Sequence, residues 1–382
     1  MRAQHPAGWY PLLLATASIG VANSVVFTLL SDLQDEYGFG DAGLGLIAGT
    51  GFLVGLAGMV LLAPLADRGH SKTLLIAGLM LAFVGSVCFA FAPSLPWLVA
   101  ARCVVGLSNS LFLPASRAVA ISISNEGLAT RLGTLSGVEL AGFVTGPVIG
   151  GLLVGPFGLA VPFLVTGLFA LAGAMLLMPR QLPEPPTSES NRLAFDLLRL
   201  PRIRVGVLMA IALFVPVGFY DATLDRFMTD LGASNILISL GFVGFGVPFA
   251  LLATRGGRLA DRKGPFRVAV VSALLVSPIV ALYGWLPNGE SIVGFSLLEG
   301  IIQAMGVPAT TALIARAAPE GRAAAAQGLG GAASIMFGAV TAYSAGWLYD
   351  GFGPRWMFGI AAVGVVLLTA AAAQQQRRAA FS

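Results

Sequence analysis

The feature that most constrains this chain is a succession of apolar runs of about 20 residues, separated by short polar segments. An α-helix of about 20 residues spans the roughly 30 Å of hydrocarbon in a bilayer, so each run has the length of one crossing. Only 10% of the residues are charged, against about 25% in a soluble chain. We therefore predict an all-α membrane protein with twelve transmembrane helices, at residues 10–31, 44–64, 73–92, 96–117, 132–154, 159–178, 205–224, 236–255, 267–286, 292–314, 323–347 and 354–373.

One connection is longer and more polar than the others. Residues 179–204 are rich in proline and in polar side chains, a composition typical of a linker. We expect it to separate an N-terminal six-helix bundle at 1–178 from a C-terminal six-helix bundle at 205–373, with a tail at 374–382.

An internal repeat relates the two predicted bundles. The tetrapeptide Leu65-Ala66-Asp67-Arg68 recurs as Leu259-Ala260-Asp261-Arg262, 194 positions later. The same offset superposes four further pairs, which are Gly38 and Gly232, Gly106 and Gly300, Pro114 and Pro308, and Glu126 and Glu320. A constant offset across six helices predicts two pseudo-symmetric halves that run in the same direction through the membrane.

The basic residues give the predicted orientation. Most Lys and Arg residues fall in connections on one side of the predicted helices, and Asp and Glu dominate the other side. The positive-inside rule makes the basic side cytoplasmic, with both termini on it. We expect a multi-pass, monomeric protein of the cell inner membrane. The net charge of +4 comes from basic residues that lie between the apolar runs and not on one basic face, so we expect no nucleic-acid partner.

The sequence lacks the motifs of several other chemistries. It has no phosphate-binding Walker loop, no His and Cys cluster for a metal, and no Gly-x-Ser-x-Gly nucleophile elbow. Its two cysteines, Cys88 and Cys103, lie in apolar runs and imply no disulfide framework. We predict that the chain has no catalytic residues, binds no metal and no cofactor, and is not an enzyme.

The repeated tetrapeptide lies within a longer motif. The segments 63–72 and 257–267 resemble the signature loop of the major facilitator superfamily, Gly-x-x-x-Asp-Arg-x-Gly-Arg-Lys, although the first copy lacks the leading Gly and the later Gly-Arg. The resemblance implies the major facilitator fold and a gating role for Asp67, Arg68, Asp261 and Arg262. An Asp at a helix end can accept charge-assisted hydrogen bonds from a neighbouring helix N-terminus or an Arg. The alternative is a plain solvated turn.

Predicted helix 5 carries a second motif, which resembles the antiporter motif of the drug and proton antiporter branch of that family. Its members are Gly142, Gly146, Pro147, Gly150 and Gly151. Gly spaced by four makes a smooth helix face, and Pro favours a bend, so we expect this helix to pack closely against the other half. The resemblance implies export. A plain packing face is the alternative.

Predicted helix 4 carries Arg102 four residues before Gly106, which resembles the basic motif that the same branch associates with proton coupling. An Arg within the membrane is costly unless it is paired or hydrated. Asp32, near the outer end of helix 1, is the expected partner. The alternative is that Arg102 extends to the outer interface.

Carboxylates inside the apolar runs are candidates for carrying protons, because such groups are expensive in a membrane. They are Glu139, Asp221 with its neighbour Asp225, and Glu299. If helix 7 ends early, Asp221 and Asp225 become ordinary loop charges. Glu139 and Glu299 can instead pair with polar groups and serve packing alone.

The uncharged candidates for a substrate cavity are three amides and three aromatic residues. They are Asn23, Asn109, Gln303, Phe27, Phe219 and Tyr220. The amides can orient a ligand by hydrogen bonds. Each aromatic can equally serve bundle packing or lipid contact.

These observations lead to one functional hypothesis and two alternatives. We expect a secondary active transporter that uses protons to drive efflux of small lipophilic compounds or drugs by alternating access. Its partners are then a small-molecule substrate, protons and the lipid bilayer. The first alternative is a proton-coupled symporter that imports a sugar or metabolite. The second is a membrane sensor or lipid-handling scaffold that does not transport.

Overall fold

The computed structural model describes residues 8–39, 41–124, 126–184, 186–187 and 194–381. Throughout these ranges the long regular elements are α-helices, and there is no strand. The eleven long helices in this part are α1 (Trp9–Tyr37), α2 (Asp41–Leu61), α3 (Ser71–Ala90), α4 (Leu95–Ser122), α5 (Leu128–Phe157), α6 (Ala160–Leu177), α7 (Pro201–Asp230), α8 (Asn235–Lys263), α9 (Pro265–Tyr283), α10 (Gly289–Ala317) and α11 (Ala323–Phe381).

Ten stretches of this part are long and apolar enough to cross a membrane. Two of them, Gly49–Ala90 and Ala323–Arg378, have 42 and 56 residues, which is enough for two crossings each. Both contain a break in helical geometry. The first bends between α2 and α3, where Gly69 has a φ of 84°, and the second bends at Gly353, where φ is 79° and Pro follows.

The predicted linker is partly helical. Its first part lies beside the end of α4, since the Ser122 hydroxyl donates a 3.4 Å hydrogen bond to the carbonyl oxygen of Pro183. Residues Ala194–Arg199 form a 3₁₀ helix, and Pro201 opens α7. Proline is favoured at the first turn of a helix because its missing N–H has no partner there in any case. The side chain of the candidate Asp225 lies outside the part of the chain that the structure describes.

The chain forms two compact units, and each contains a short segment from the other half of the sequence. Unit 1 comprises Met1–Ser124, Val138–Ala194 and Pro319–Gly328. Unit 2 comprises Asn125–Gly137, Phe195–Ala318 and Leu329–Ser382. The exchanged segments contain the beginnings of α5 and α11. The break at residues 194 and 195 falls inside the predicted linker, but nothing in the sequence indicated the exchange.

Within each unit one helix packs at the centre. In unit 1, α4 packs against α2 and α3, and α6 packs against α1 and α3. The rings of Phe89 and Phe163 stack in its core with centroids 4.9 Å apart. In unit 2, α10 packs against α7, α8 and α9. Both central helices depend on a glycine for close contact, since a Cβ at Gly106 would meet Gly51 and one at Gly300 would meet Phe245.

The sequence repeat is also a repeat of backbone conformation. All eight positive-φ glycines of the described residues form four pairs, each separated by 194 or 195 positions. The pairs are Gly38 and Gly232, Gly69 and Gly264, Gly127 and Gly321, and Gly158 and Gly353. Glycine adopts positive φ without the steric penalty of a Cβ, so the two halves of the sequence turn their chains at corresponding places.

Candidate functional site

Unit 2 contains a buried carboxylate. Glu299 of α10 is 1% exposed, and within the described residues it forms no ion pair. The hydroxyl of Tyr220 on α7 donates to both carboxyl oxygens, at 3.1 and 3.0 Å. The side chains of Tyr283 on α9 and Gln303, one turn further along α10, also lie beside this carboxyl group. A buried carboxyl group surrounded by donors can hold either a proton or a charge.

The surroundings of Glu299 are aromatic. The rings of Tyr220 and Tyr283 lie 5.4 Å apart, and the buried ring of Phe358 packs against both, at 6.2 and 5.7 Å. Gln303 is itself fixed, because its amide nitrogen donates a 3.1 Å hydrogen bond to the carbonyl oxygen of Leu213. The carboxyl group is therefore held by positioned polar groups inside an apolar shell. Of this cluster, Tyr283 was not among the sequence candidates.

Unit 1 contains a buried cation. Arg102 of α4 is 5% exposed, and one of its terminal nitrogens donates a 3.2 Å hydrogen bond to the carbonyl oxygen of Asn23. Its guanidinium carbon lies 4.8 Å from the centre of the Phe27 ring. The Nε atom has no hydrogen-bond partner in the described part of the chain, and the side chain lies against Gly51 of α2.

The expected pairing of Arg102 with Asp32 is not present. Asp32 is exposed, and the described residues show no ion pair between the two side chains. Asp32 lies nine residues beyond Asn23 on α1, which is about 13 Å along the helix axis. The alternative, in which Arg102 extends to the interface, does not describe this buried side chain either.

Glu139 of α5 has a partner that was not recognised in the sequence. One of its carboxyl oxygens lies 3.5 Å from a guanidinium nitrogen of Arg117 on α4, and both side chains are largely buried, with 28% and 18% of their surface exposed. The predicted helix 4 ends at residue 117, and Arg117 was not among the predicted site residues. In the structure α4 continues to Ser122, and Arg117 lies well inside it. An Arg and a Glu on successive apolar helices are the signal that could have identified the pair.

The glycines of the antiporter-like motif pack against α1, within unit 1. A Cβ at Gly142 would meet the carbonyl group of Ala17, and one at Gly146 would meet Ser24. Gly150 lies against Val25 and Gly151 against Thr28, in looser contact. We expected this face to pack on the other half, and its contacts with α1 correct that expectation. Pro147 lies inside α5, between these contacts.

The two acidic residues of the repeated loops cap helix N-termini. In unit 1, the buried Asp67 carboxylate accepts hydrogen bonds from the backbone N–H groups of Ala324 and Ala325. In unit 2, Asp261 accepts from the N–H groups of Ala129 and Thr130, at 3.0 and 2.9 Å. A carboxylate here satisfies orphan N–H groups and faces the positive end of the helix dipole. The predicted bonds to a helix N-terminus are confirmed.

The surroundings of the two Asp residues differ. The Asp261 carboxylate also accepts from the Thr130 hydroxyl, at 2.8 Å, and lies 3.3 Å from a guanidinium nitrogen of Arg316. Asp67 is more deeply buried. The arginines that follow them in sequence do not join these hydrogen bonds: Arg262 is exposed, and the buried Nε of Arg68 has no partner in the described residues.

The remaining candidates are dispersed. Helix α7 runs through Asp221 to Asp230, so the alternative in which this helix ends early is wrong. The Asp221 side chain is exposed, and the Phe219 side chain is buried. Asn109 is half-buried on α4. The described residues contain no group of His, Cys, Asp and Glu side chains that could hold a metal ion.

Comparison with known proteins agrees with this architecture. The chain is 25% identical over 328 residues to the multi-drug resistance efflux pump PmrA of Streptococcus pneumoniae, covering 82% of this chain and 80% of PmrA. It is 26% identical over 249 residues to the multidrug resistance protein MdtG of Serratia proteamaculans, covering 62% and 61%. The solved structure of FucP, a Major Facilitator Superfamily transporter, in the outward conformation, has a TM-score of 0.81 at 16% identity, covering 97% of this chain and 98% of FucP. At that identity the likeness shows the fold alone.

The family comparison covers most of the chain. Residues 12–224 and 207–375 each match the model of the Major Facilitator Superfamily. The protein therefore belongs to the Major Facilitator Superfamily and is a multi-pass membrane transporter, not an enzyme.

Proposed function

We propose that this protein is a secondary active transporter that exports small lipophilic compounds in exchange for protons, by alternating access. The export direction is supported by PmrA, named a multi-drug resistance efflux pump, which aligns with 82% of this chain. The observation that carries proton coupling is Glu299, a buried carboxyl group with hydrogen-bond donors and no ion-pair partner among the described residues.

The proposed topology has twelve spans. The stretches Gly49–Ala90 and Ala323–Arg378 then each count as two crossings, divided at Gly69 and Gly353. The even number puts both termini on one side, and the basic connections make that side cytoplasmic under the positive-inside rule. The protein then acts as a monomer in the cell inner membrane, in two six-helix halves with parallel topology.

The proposed proton carrier is Glu299. A carboxylate in an apolar shell is disfavoured in its charged form, so Glu299 is neutral while water is excluded and releases its proton when water reaches it. Tyr220 donates to the carboxyl group in the buried state and so keeps it oriented. Proton release is then tied to a conformational change, which is the requirement for coupling.

The other ionisable candidates have different proposed roles. Glu139 faces Arg117, and we assign this pair to orienting α4 against α5. Asp221 and Asp32 are exposed side chains, and we assign them to attracting protons or substrate to the transport path. Asp67 and Asp261, with Arg68 and Arg262 beside them, are proposed to stabilise one access state through the helix N-termini that the two Asp residues cap.

Transport in proteoliposomes tests the proposal. Purified protein would be reconstituted, and efflux of a fluorescent lipophilic dye would be followed with and without an imposed pH gradient. We expect flux to follow the gradient in the wild type and to lose that dependence in Glu299→Gln, which keeps the volume and one hydrogen-bond acceptor but has no proton to release. The matched control is Glu290→Gln, since Glu290 is an exposed residue at the beginning of the same helix.

The outcomes separate the components of the proposal. If dye flux ignores the gradient in the wild type, proton coupling is wrong. If the gradient drives flux equally in wild type and Glu299→Gln, coupling exists but Glu299 does not carry it. Glu139→Gln is then the next variant to measure.

A further inference from the structure

Among the residues that the structure describes, the buried guanidinium of Arg102 has only neutral neighbours. Buried charges in proteins are normally paired with a charge of opposite sign, because an unpaired charge has lost its hydration without compensation. Arg has five N–H donors and does not lose its proton in proteins. Within the described residues Arg102 uses one of them on the carbonyl oxygen of Asn23, and its Nε has no partner. The Arg102 side chain therefore contacts a backbone carbonyl and the face of an aromatic ring, but no anionic group of the described residues.

The backbone around Arg102 is shaped to hold the side chain in this place. A Cβ at Gly51 would overlap the Nε, Cδ and Cγ atoms of Arg102, so only glycine leaves room for it there. The Asn23 side chain is fixed by a 2.9 Å hydrogen bond to the carbonyl oxygen of Ile19, which leaves it turned toward its own helix. The corresponding position in unit 2 is Ser296, so the cation is not required by the repeated architecture itself.

The apolar residues around the Arg102 guanidinium are aromatic. The Phe27 ring stacks on the guanidinium at 4.8 Å. It also contacts Phe52 and Phe143, with centroids 6.5 and 5.8 Å away. The side chains of Phe52 and Phe143 are 44% and 42% exposed. A row of rings therefore leads from an exposed surface to the buried cation, all within unit 1.

From this juxtaposition we propose that Arg102 is a binding site for lipophilic monocarboxylates, with the carboxylate on the guanidinium and the apolar body against Phe27, Phe52 and Phe143. A carboxylate supplies the missing charge and accepts two parallel N–H bonds in the fork geometry of Arg. An aromatic or aliphatic body gains from burial against the rings. The inference deepens the proposed function, on which it rests, by naming a substrate class.

Binding to the purified full-length protein in detergent tests the site without any gradient. Thermal stabilisation would be titrated with benzoate and with benzamide, a neutral ligand of nearly the same shape, at constant ionic strength and pH. We expect saturable stabilisation by benzoate, with benzamide about tenfold weaker or weaker still, since one charge-assisted pair contributes at least that factor. Sodium chloride, as a third ligand, shows whether a bare anion is sufficient.

Variants locate the effect. Arg102→Gln is expected to weaken benzoate binding at least about tenfold, and Phe27→Leu to weaken benzoate and benzamide together. Arg377→Gln, at an exposed arginine of α11, is the control and should bind as the wild type does. Equal binding of benzoate and benzamide by the wild type overturns the proposal, as does binding of chloride with exclusion of benzoate. The ligand comparison needs no variant, so it decides the question even if Arg102→Gln does not fold.

This experiment and the transport assay fail separately. Absent benzoate binding beside gradient-driven dye efflux would reject the carboxylate site and leave the proposed function intact. Benzoate binding in a protein whose flux ignores the pH gradient would support the site and reject proton coupling.

Discussion

The carboxylate of Asp67 accepts a 2.7 Å hydrogen bond from the backbone N–H of Ala324, and so joins the loop after α2 to the first turn of α11. The two residues are 257 positions apart in the sequence. Asp261 makes the equivalent contact at the beginning of α5. Each helix N-terminus is thus capped by a carboxylate from the opposite half of the repeat, within a single unit.

Replacing Asp67 with Asn should destabilise unit 1. The amide keeps one acceptor oxygen but removes the negative charge that faces the helix dipole. Its NH2 group would also face a backbone N–H group of α11, which is itself a donor. We expect a cost of about 1–2 kcal/mol, the range of helix-capping and dipole effects in buried positions. Thermal unfolding of the purified variant would measure it. Asp35→Asn, at an exposed position of α1, should unfold as the wild type does, and equal stability of both variants would contradict the capping role.

The glycine face of α5 should not tolerate even one extra carbon at Gly142. A Cβ there meets the backbone carbonyl of Ala17, which can move only if α1 moves. We expect Gly142→Ala to cost about 1–3 kcal/mol, as overpacking does in tight cores. Gly155, on the same helix, has open space around it. Gly155→Ala should therefore stabilise the helix slightly or leave it unchanged, and matching losses in both variants would show that the contact with α1 is unimportant.

Arg117 and Glu139 should be energetically coupled. Removing one partner leaves the other charge buried without compensation, whereas removing both does not. In a double-mutant cycle of Arg117→Gln, Glu139→Gln and the combined variant, we expect a coupling energy of about 0.5–3 kcal/mol. Denaturation of the four proteins under identical conditions gives this value. Additive effects would mean that the 3.5 Å approach contributes nothing.

The cluster of Arg226, Asp230 and Tyr349 should make stability depend on pH. The Tyr349 hydroxyl donates a 2.6 Å hydrogen bond to Asp230, and Arg226 donates one of 3.0 Å. The Tyr349 bond, and after it Arg226, hold the pKa of Asp230 below its ordinary value. The resulting stabilisation is present above the ordinary carboxyl pKa of about 4 and is lost as the pH falls through the lowered native pKa.

Tyr349→Phe should therefore unfold at a lower temperature than the wild type near neutral pH, and the difference should shrink in acid. Melting curves recorded across the pH range would reveal the trend. Tyr343→Phe serves as the control, because Tyr343 is almost fully exposed on the same helix. A difference between Tyr349→Phe and the wild type that is constant with pH would exclude Asp230 as its cause.

The sequence identified the elements of this structure better than their contacts. Apolar run lengths locate the helices, since hydrocarbon thickness alone fixes that length. A helix N-terminus was one of the two kinds of hydrogen-bond partner expected for the repeated Asp residues, because a carboxylate at a helix end has few ways to be satisfied. The partner of Arg102 was assigned wrongly, since the rotation of α1 decides whether Asn23, Phe27 or Asp32 faces it, and a helix of uniform hydropathy does not reveal its rotation.

Two features had weaker sequence signals. Arg117 was missed because the predicted helix ended at that residue, whereas α4 continues through the apolar residues 118–121 to Ser122. The glycines of α5 were recognised as a packing face, yet the identity of the neighbouring helix is a tertiary property. Tyr283, buried beside Glu299, looks like any aromatic residue at the end of an apolar run.

The exchanged segments have a consequence for biosynthesis. Unit 1 requires Pro319–Gly328, which the ribosome delivers only after two of the three segments of unit 2, Asn125–Gly137 and Phe195–Ala318, have been made. Its first six long helices can enter the membrane early, but the N–H groups that satisfy Asp67 arrive late. Until then the Asp67 carboxylate lacks its final hydrogen-bond partners, and unit 1 of the nascent protein remains incomplete. Separately expressed halves, divided in the linker, would each lack a piece of their own unit and would have to mature together.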